Sequence, residues 1–135
     1  MNRTIKFRGK SADNGKWITG YYYHECGNTY IVEDRQSLSE TSRNVPYVVI
    51  PETVGQFTGL LDKDGKEIYE GDILHTITFG FNPEEYTAII LYRNCSFQLS
   101  NGRNLFYFGQ SDLTKMDDTI VIGNIHDNPE LIKEE

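Results

Sequence analysis

Cysteine is scarce in this chain. Cys26 and Cys95 are the only two in 135 residues and lie far apart, which excludes the disulfide framework that small secreted domains depend on. Long apolar runs are missing too. The longest, Ala88 to Tyr92, falls far short of the roughly 20 residues that a helix needs to cross a bilayer, so no membrane partner is expected. The opening MNRTIKFRGK lacks the apolar stretch of an export signal, and a cytoplasmic protein with free thiols is the expectation. Positive charge is also in short supply: 13 Lys and Arg stand against 20 Asp and Glu, a net charge of −7. Duplex-binding domains gain affinity by neutralising phosphates, so duplex DNA is not an expected partner. The one local basic group is Arg3, Lys6, Arg8 and Lys10, whose last three members alternate as on one face of a strand. It reads as a solvated face.

Aromatic residues, in contrast, are plentiful: nine Tyr, seven Phe and one Trp. Each can bury on the order of 150–250 Å², which compensates for a modest apolar fraction of 38%. A chain of this length is expected to form one domain that buries about two-thirds of its unfolded surface. Its approximate sub-parts are an N-terminal hairpin region, 1–50, and a barrel-like region, 51–135. The segments TIKFR, KWITGYYYHE, NTYIVE, YVVI, DILHTITF, YTAIILY, SFQLS, NLFYF and TIVIGNI are short and rich in β-branched or aromatic residues. Gly, Asn, Asp or Pro bounds each one, which predicts strands in a mainly β fold. PET at 51 predicts a single helical turn. Pro129 followed by Glu130, Leu131 and Ile132 predicts a short C-terminal helix capped by Asp127 or Asn128. The polar stretch 34–44 is expected to be a loop.

DKDGKEIYEGD, residues 62–72, concentrates carboxylates around Gly65. An EF-hand calcium loop with Gly65 at its sixth position would put Leu60 first and Gly71 twelfth, where neither side chain can coordinate. A hydrolytic acid pair needs two carboxylates on facing walls of a cleft, and nothing in the spacing of Glu67, Glu70 or Asp72 provides that. The stretch is therefore expected to be a hairpin, with Gly65 at a φ > 0 position. Gly71-Asp72 then begins the next strand, with Asp72 bonding nearby amides. A Gly-Asp step of this kind is common in small SH3-like barrels, and by that analogy the C-terminal half is expected to form one, under an N-terminal hairpin layer. Residues 7–18 and 57–68 share five of twelve positions, so either two related hairpins or two convergent ones are in view.

Other constellations are thinner. His24 and Cys26 share one side of an extended chain and, with Cys95, His75 or His126, have the donor types of a zinc site. No local pair such as Cys-x-x-Cys supports it, and no metal, cofactor or catalytic residue is expected. A Cys95–His126 nucleophile lacks a motif as well. Tyr21, Tyr22 and Tyr23 form the candidate interaction surface, with Trp17 and Tyr30 nearby. On a strand Tyr21 and Tyr23 share a face that can stack bases or sugars, although tyrosines are ordinary strand formers too.

VGQFTGLLDKDGKEIYEGDIL (54–74), VIGNIHDNPEL (121–131) and IKFR (5–8) resemble the YopX family. Segments 21–48 and 76–118 carry little of the likeness, and the chain departs after Arg8, with Gly9-Lys10 where members often continue Ala-Trp-Asp. The resemblance implies a largely β protein of phages and prophages of Gram-positive bacteria, located in the cytoplasm of the bacterial host, with no catalytic residues to carry over. The expected function is that of a non-catalytic accessory protein that binds an unknown protein partner or itself. The alternative is a single-stranded nucleic-acid binder using the tyrosine-rich strand, with a hydrolytic enzyme a distant third.

Overall fold

The computed structural model describes residues 5–33, 46–77, 81, 83–93, 95–101 and 118–131. The chain divides into two compact units, Met1–Phe57 and Thr58–Glu135.

The first unit is an antiparallel sheet built from β1 (Phe7–Lys10), β2 (Trp17–Glu25), β3 (Asn28–Glu33) and β4 (Pro46–Val49), ordered β4-β3-β2-β1. Side chains alternate across such a sheet, and register decides which meet. Gly9 faces Ile18, Tyr22 faces Ile31, and Ile31 faces Tyr47. Ile18, Ile31 and Val49 form the buried core of this unit, with Val54 packed against them. The sheet curls over that core. Ser11, just beyond β1, bridges Val49; the Ala12 amide donates to the Val48 carbonyl at 2.9 Å, and the Ile50 amide donates to the Lys10 carbonyl at 2.9 Å. The curl brings Gly9 so close to the core that an added Cβ would lie 3.0 Å from Ile31 Cδ1 and 3.2 Å from Val49 Cβ. PET at 51 forms a three-residue 3-10 turn, as its sequence predicts. Thr53 Oγ1 there accepts from the Lys10 amide at 2.9 Å and donates to the Ile50 carbonyl at 2.6 Å.

Strand β5 (Gly55–Leu61) starts beside β1, Gly55 opposite Arg8, and the boundary between the two units falls within it. In the second unit β5 turns into β6 (Glu67–Tyr69). A four-stranded antiparallel sheet follows from β7 (Asp72–Ile77), β8 (Glu85–Arg93), β9 (Ser96–Leu99) and β10 (Thr119–Asn124), ordered β10-β7-β8-β9. Ile68, Leu74, Ala88, Ile90 and Leu99 form its core, joined by Leu60, Tyr86, Phe97 and Val121. The β10–β7 ladder shifts register between Val121 and Gly123.

The predominance of strands agrees with the sequence reading, and two finer expectations are corrected. The C-terminal half is not an SH3-like barrel: the order β10-β7-β8-β9 ends on two different strands and does not close. The Gly-Asp signal misled because its chemistry is local. Asp72 Oδ2 accepts from the Tyr69 amide at 2.7 Å, which sets the start of a strand whether or not its sheet closes. The C-terminal helix is likewise a single 3-10 turn, Pro129–Leu131, and the described residues contain no α-helix. Asn128 turns its side chain back to accept from the Asn124 amide at 3.3 Å. Leu131 is exposed, so no apolar face is covered to extend the turn. Among the described residues no helix is long and apolar enough to cross a membrane. The predicted loop 34–44 and strand NLFYF lie outside the described residues.

Candidate functional site

In the first unit, the sheet face turned away from Ile18, Ile31 and Val49 carries an unusual set of residues. Register stacks them in rows. Tyr21 stands beside Val32 and Val32 beside Pro46; Tyr23 stands beside Tyr30 and Tyr30 beside Val48. These six side chains span β2, β3 and β4, and none is charged. Tyr21 is 53% exposed, Val48 43% and Tyr23 38%. The Tyr23 and Tyr30 rings stack with centroids 5.0 Å apart and planes 23° off parallel.

The same face continues onto β1 with cations. Arg8 lies opposite Thr19 and Lys10 opposite Trp17. The Arg8 guanidinium sits 4.6 Å from the Trp17 ring centroid and Lys10 Nζ 5.8 Å from it, so one indole carries two positive groups on its π system. Lys6 Nζ is 5.2 Å from the Phe57 ring. Within β1 to β4, Glu25, at the end of β2, is the one acid that register puts on this face among the described residues. Net charge is unevenly divided as well. Residues 1–57 hold seven Lys and Arg against six Asp and Glu, whereas residues 58–135 hold six against fourteen. The acidic excess of the chain belongs to the second unit.

The predicted surface residues therefore separate. Tyr21 and Tyr23 lie together on the uncharged patch. Tyr22 lies on the opposite face, its ring edge-on to Phe7 at 4.7 Å. The contributions of Val32, Pro46 and Val48 escaped sequence reasoning because they depend on pairing register. One signal was available for β2 and β3: Cys26-Gly27 is a two-residue turn with φ of 53° and 82°, the left-handed pair that a tight hairpin favours. A two-residue turn there forces Tyr23 opposite Tyr30.

The acidic stretch is a hairpin. The Asp62 amide donates to the Lys66 carbonyl at 2.8 Å and Gly65 takes φ 85°. Asp62 itself, 2% exposed, is a backbone clamp. Its Oδ1 accepts from the Asp64 and Lys66 amides, both at 2.9 Å, and its Oδ2 accepts from the Val121 amide of β10 at 3.0 Å. The resembling segment 7–18 also folds as a hairpin, and Ser11 occupies the corresponding place. Its Oγ accepts from the Asp13 amide, two residues on, as Asp62 Oδ1 accepts from Asp64. The second hairpin closes one residue later relative to its glycines, with Gly59 at φ 90° in the preceding strand.

The candidate metal ligands are engaged elsewhere. His24 Nδ1 lies 3.0 Å from Thr29 Oγ1, and His75 is held between Thr87 Oγ1 at 3.2 Å and Glu85 Oε2 at 2.9 Å. Cys26 and Cys95 are free, exposed and in hairpin turns. His126 lies in the turn after β10, its amide donating to Asn124 Oδ1. Among the described residues, no three His, Cys, Asp or Glu side chains converge as metal ligands.

This two-unit β architecture has a solved counterpart. The chain is similar to a crystal structure of protein EF1440 from Enterococcus faecalis, with a TM-score of 0.62 and 25% identical residues, over 98% of this chain and 100% of that one. No curated protein matches it. Neither the family's description nor the neighbour's name states an activity. The YopX protein profile matches residues 6–133, nearly the whole length, and the chain belongs to the YopX family.

Proposed function

We propose that this protein is a non-catalytic binding module, a phage or prophage accessory factor whose working surface is the outer face of the N-terminal sheet. The observation that carries this reading is the six-residue uncharged patch, Tyr21, Val32 and Pro46 above Tyr23, Tyr30 and Val48, on a sheet whose core lies on the other side. Tyrosines and apolar groups left in contiguous rows on an exposed face mark an interaction site, because water solvates them poorly and a partner can cover them. Scattered single exposures would need no such account. The clustered acids give no support to hydrolysis: the most buried pair in the stretch, Asp62 and Asp72, spend their oxygens on backbone amides.

Hydroxyl-radical footprinting tests this directly. In extract of a bacterial host, Tyr21, Tyr23 and Val48 should be protected relative to the purified protein in buffer. A Tyr21→Lys, Val48→Lys variant should leave the fold intact, since both side chains are exposed, and abolish the protection at Tyr23. Protection confined to the second unit, or none at all, would refute the assignment of the surface.

A further inference from the structure

We propose that the occupant of this face is a proline-rich segment of another protein, held as a polyproline II helix across the strands. This rests on the face being the working surface, and goes further by naming the partner class. The first reason is charge. No ionised side chain stands in the two rows, and the described residues of the first unit balance four Lys and Arg against four Asp and Glu. A neutral face selects a neutral ligand, since a charged one would lose hydration there without gaining a counter-charge. The second reason is hydrogen bonding. The only polar side-chain atoms of the six residues are tyrosine hydroxyls. The Tyr30 hydroxyl accepts from Asn28 Nδ2 at 3.4 Å, which leaves its own proton to donate. Proline brings no N–H, and the carbonyls of a polyproline II chain have no internal partners. Such a chain supplies acceptors to these donors and asks for few acceptors in return.

Size and spacing narrow the choice. Three strands and two rows span about 14 Å each way, on the order of 200 Å², against the roughly 800 Å² per partner of a stable dimer. A second copy of this chain therefore fits poorly, and its own four prolines lie at least five residues apart. So small a contact favours a ligand ordered before it binds, which polyproline II is and a short helix is not. The distance from β2 to β4 is two strand spacings, about 9.6 Å, and three residues of polyproline II rise about 9.3 Å. Prolines at i and i+3 thus reach Tyr23 and Val48 with one edge of the chain, passing over Tyr30. Addition as a strand beside β4 is closed off, because the Val48 carbonyl and the Ile50 amide there already bond Ala12 and Lys10.

NMR titration of the isotope-labelled full chain with end-blocked octaproline is the test. Saturable shifts are expected at Tyr23, Tyr30 and Val48, with a Kd on the order of 0.1–1 mM for a contact of this size. A peptide of alternating Gly and Ser, equally long, should give none. Tyr23→Phe and Tyr30→Phe keep the rings and should each weaken binding about two- to tenfold through the lost donor. Between about 0.05 and 0.5 M salt the Kd should change less than about twofold. No saturable shift at the patch, equal shifts with the Gly-Ser peptide, or a steep fall with salt overturns the partner class. The footprint in host extract separates that failure from failure of the face. Patch protection that excess octaproline displaces supports both readings. Protection that octaproline leaves in place, that nuclease removes, or that the purified protein shows on concentration alone overturns the proline-rich ligand and keeps the face. With no protection there at all, the face itself was misassigned.

Discussion

Replacing Asp62 with alanine should be among the most damaging single changes outside the apolar core, and its size can be worked from three hydrogen bonds. The carboxylate is 2% exposed and accepts from Asp64, Lys66 and Val121. Asp64 and Lys66 lie in the exposed tip of the hairpin, where water can replace the lost acceptor, so each contributes little beyond the net value of a bond, about 1 kcal/mol. Val121 sits partly buried in β10, and its amide would be stranded at a cost of about 1–3 kcal/mol. Because the terms overlap, the expected loss is about 2–4 kcal/mol, or a fall of roughly 1–2 M in the urea midpoint followed by circular dichroism. Asp62→Asn should fall between wild type and alanine. Keeping Oδ1 on the two tip amides turns its NH2 toward the Val121 amide, donor against donor. Native-state hydrogen exchange supplies the local readout: the Val121 amide should lose protection in both variants while Leu74, in the strand beside it, keeps most of its own. A destabilisation below about 0.5 kcal/mol, or unchanged protection at Val121, would refute the clamp. Millimolar calcium should not raise the midpoint of the wild-type protein, because both oxygens already serve backbone amides.

Three further substitutions probe the backbone. Gly9→Ala should cost about 1–3 kcal/mol by overpacking, since its methyl would meet Ile31 Cδ1 and Val49 Cβ. Adding Ile31→Val removes the nearer atom and should recover part of that loss in a double-mutant cycle. Cys26→Asn should stabilise the protein by up to about 1 kcal/mol, because Cys26 holds φ 53° and asparagine tolerates that region better; a fall in midpoint on urea titration would argue against a left-handed turn. Gly123→Ala should be destabilising by about 2 kcal/mol or more, because an added Cβ would lie 2.6 Å from Asn128 Oδ1, and Asn128→Ala in the same chain should relieve much of it.

What was legible in the sequence was whatever depends on near neighbours. The hairpin at Gly65, the strand start at Asp72 and the turn at Pro51 each arise from a few adjacent residues, and each appears. What failed depends on partners far along the chain. Closure of a barrel is decided by which strands pair, and nothing in GDIL encodes that. Pro129-Glu130 has the start of a helix, but a helix also needs a surface to cover its apolar side, and Leu131 has none. The role of Asp62 was half readable: its bonds to Asp64 and Lys66 span two and four residues, whereas its bond to Val121 spans 59. For the candidate site the same division holds. Alternation along β2 separates Tyr22 from its two neighbours without any structure, but Val32, Pro46 and Val48 join the patch only through register.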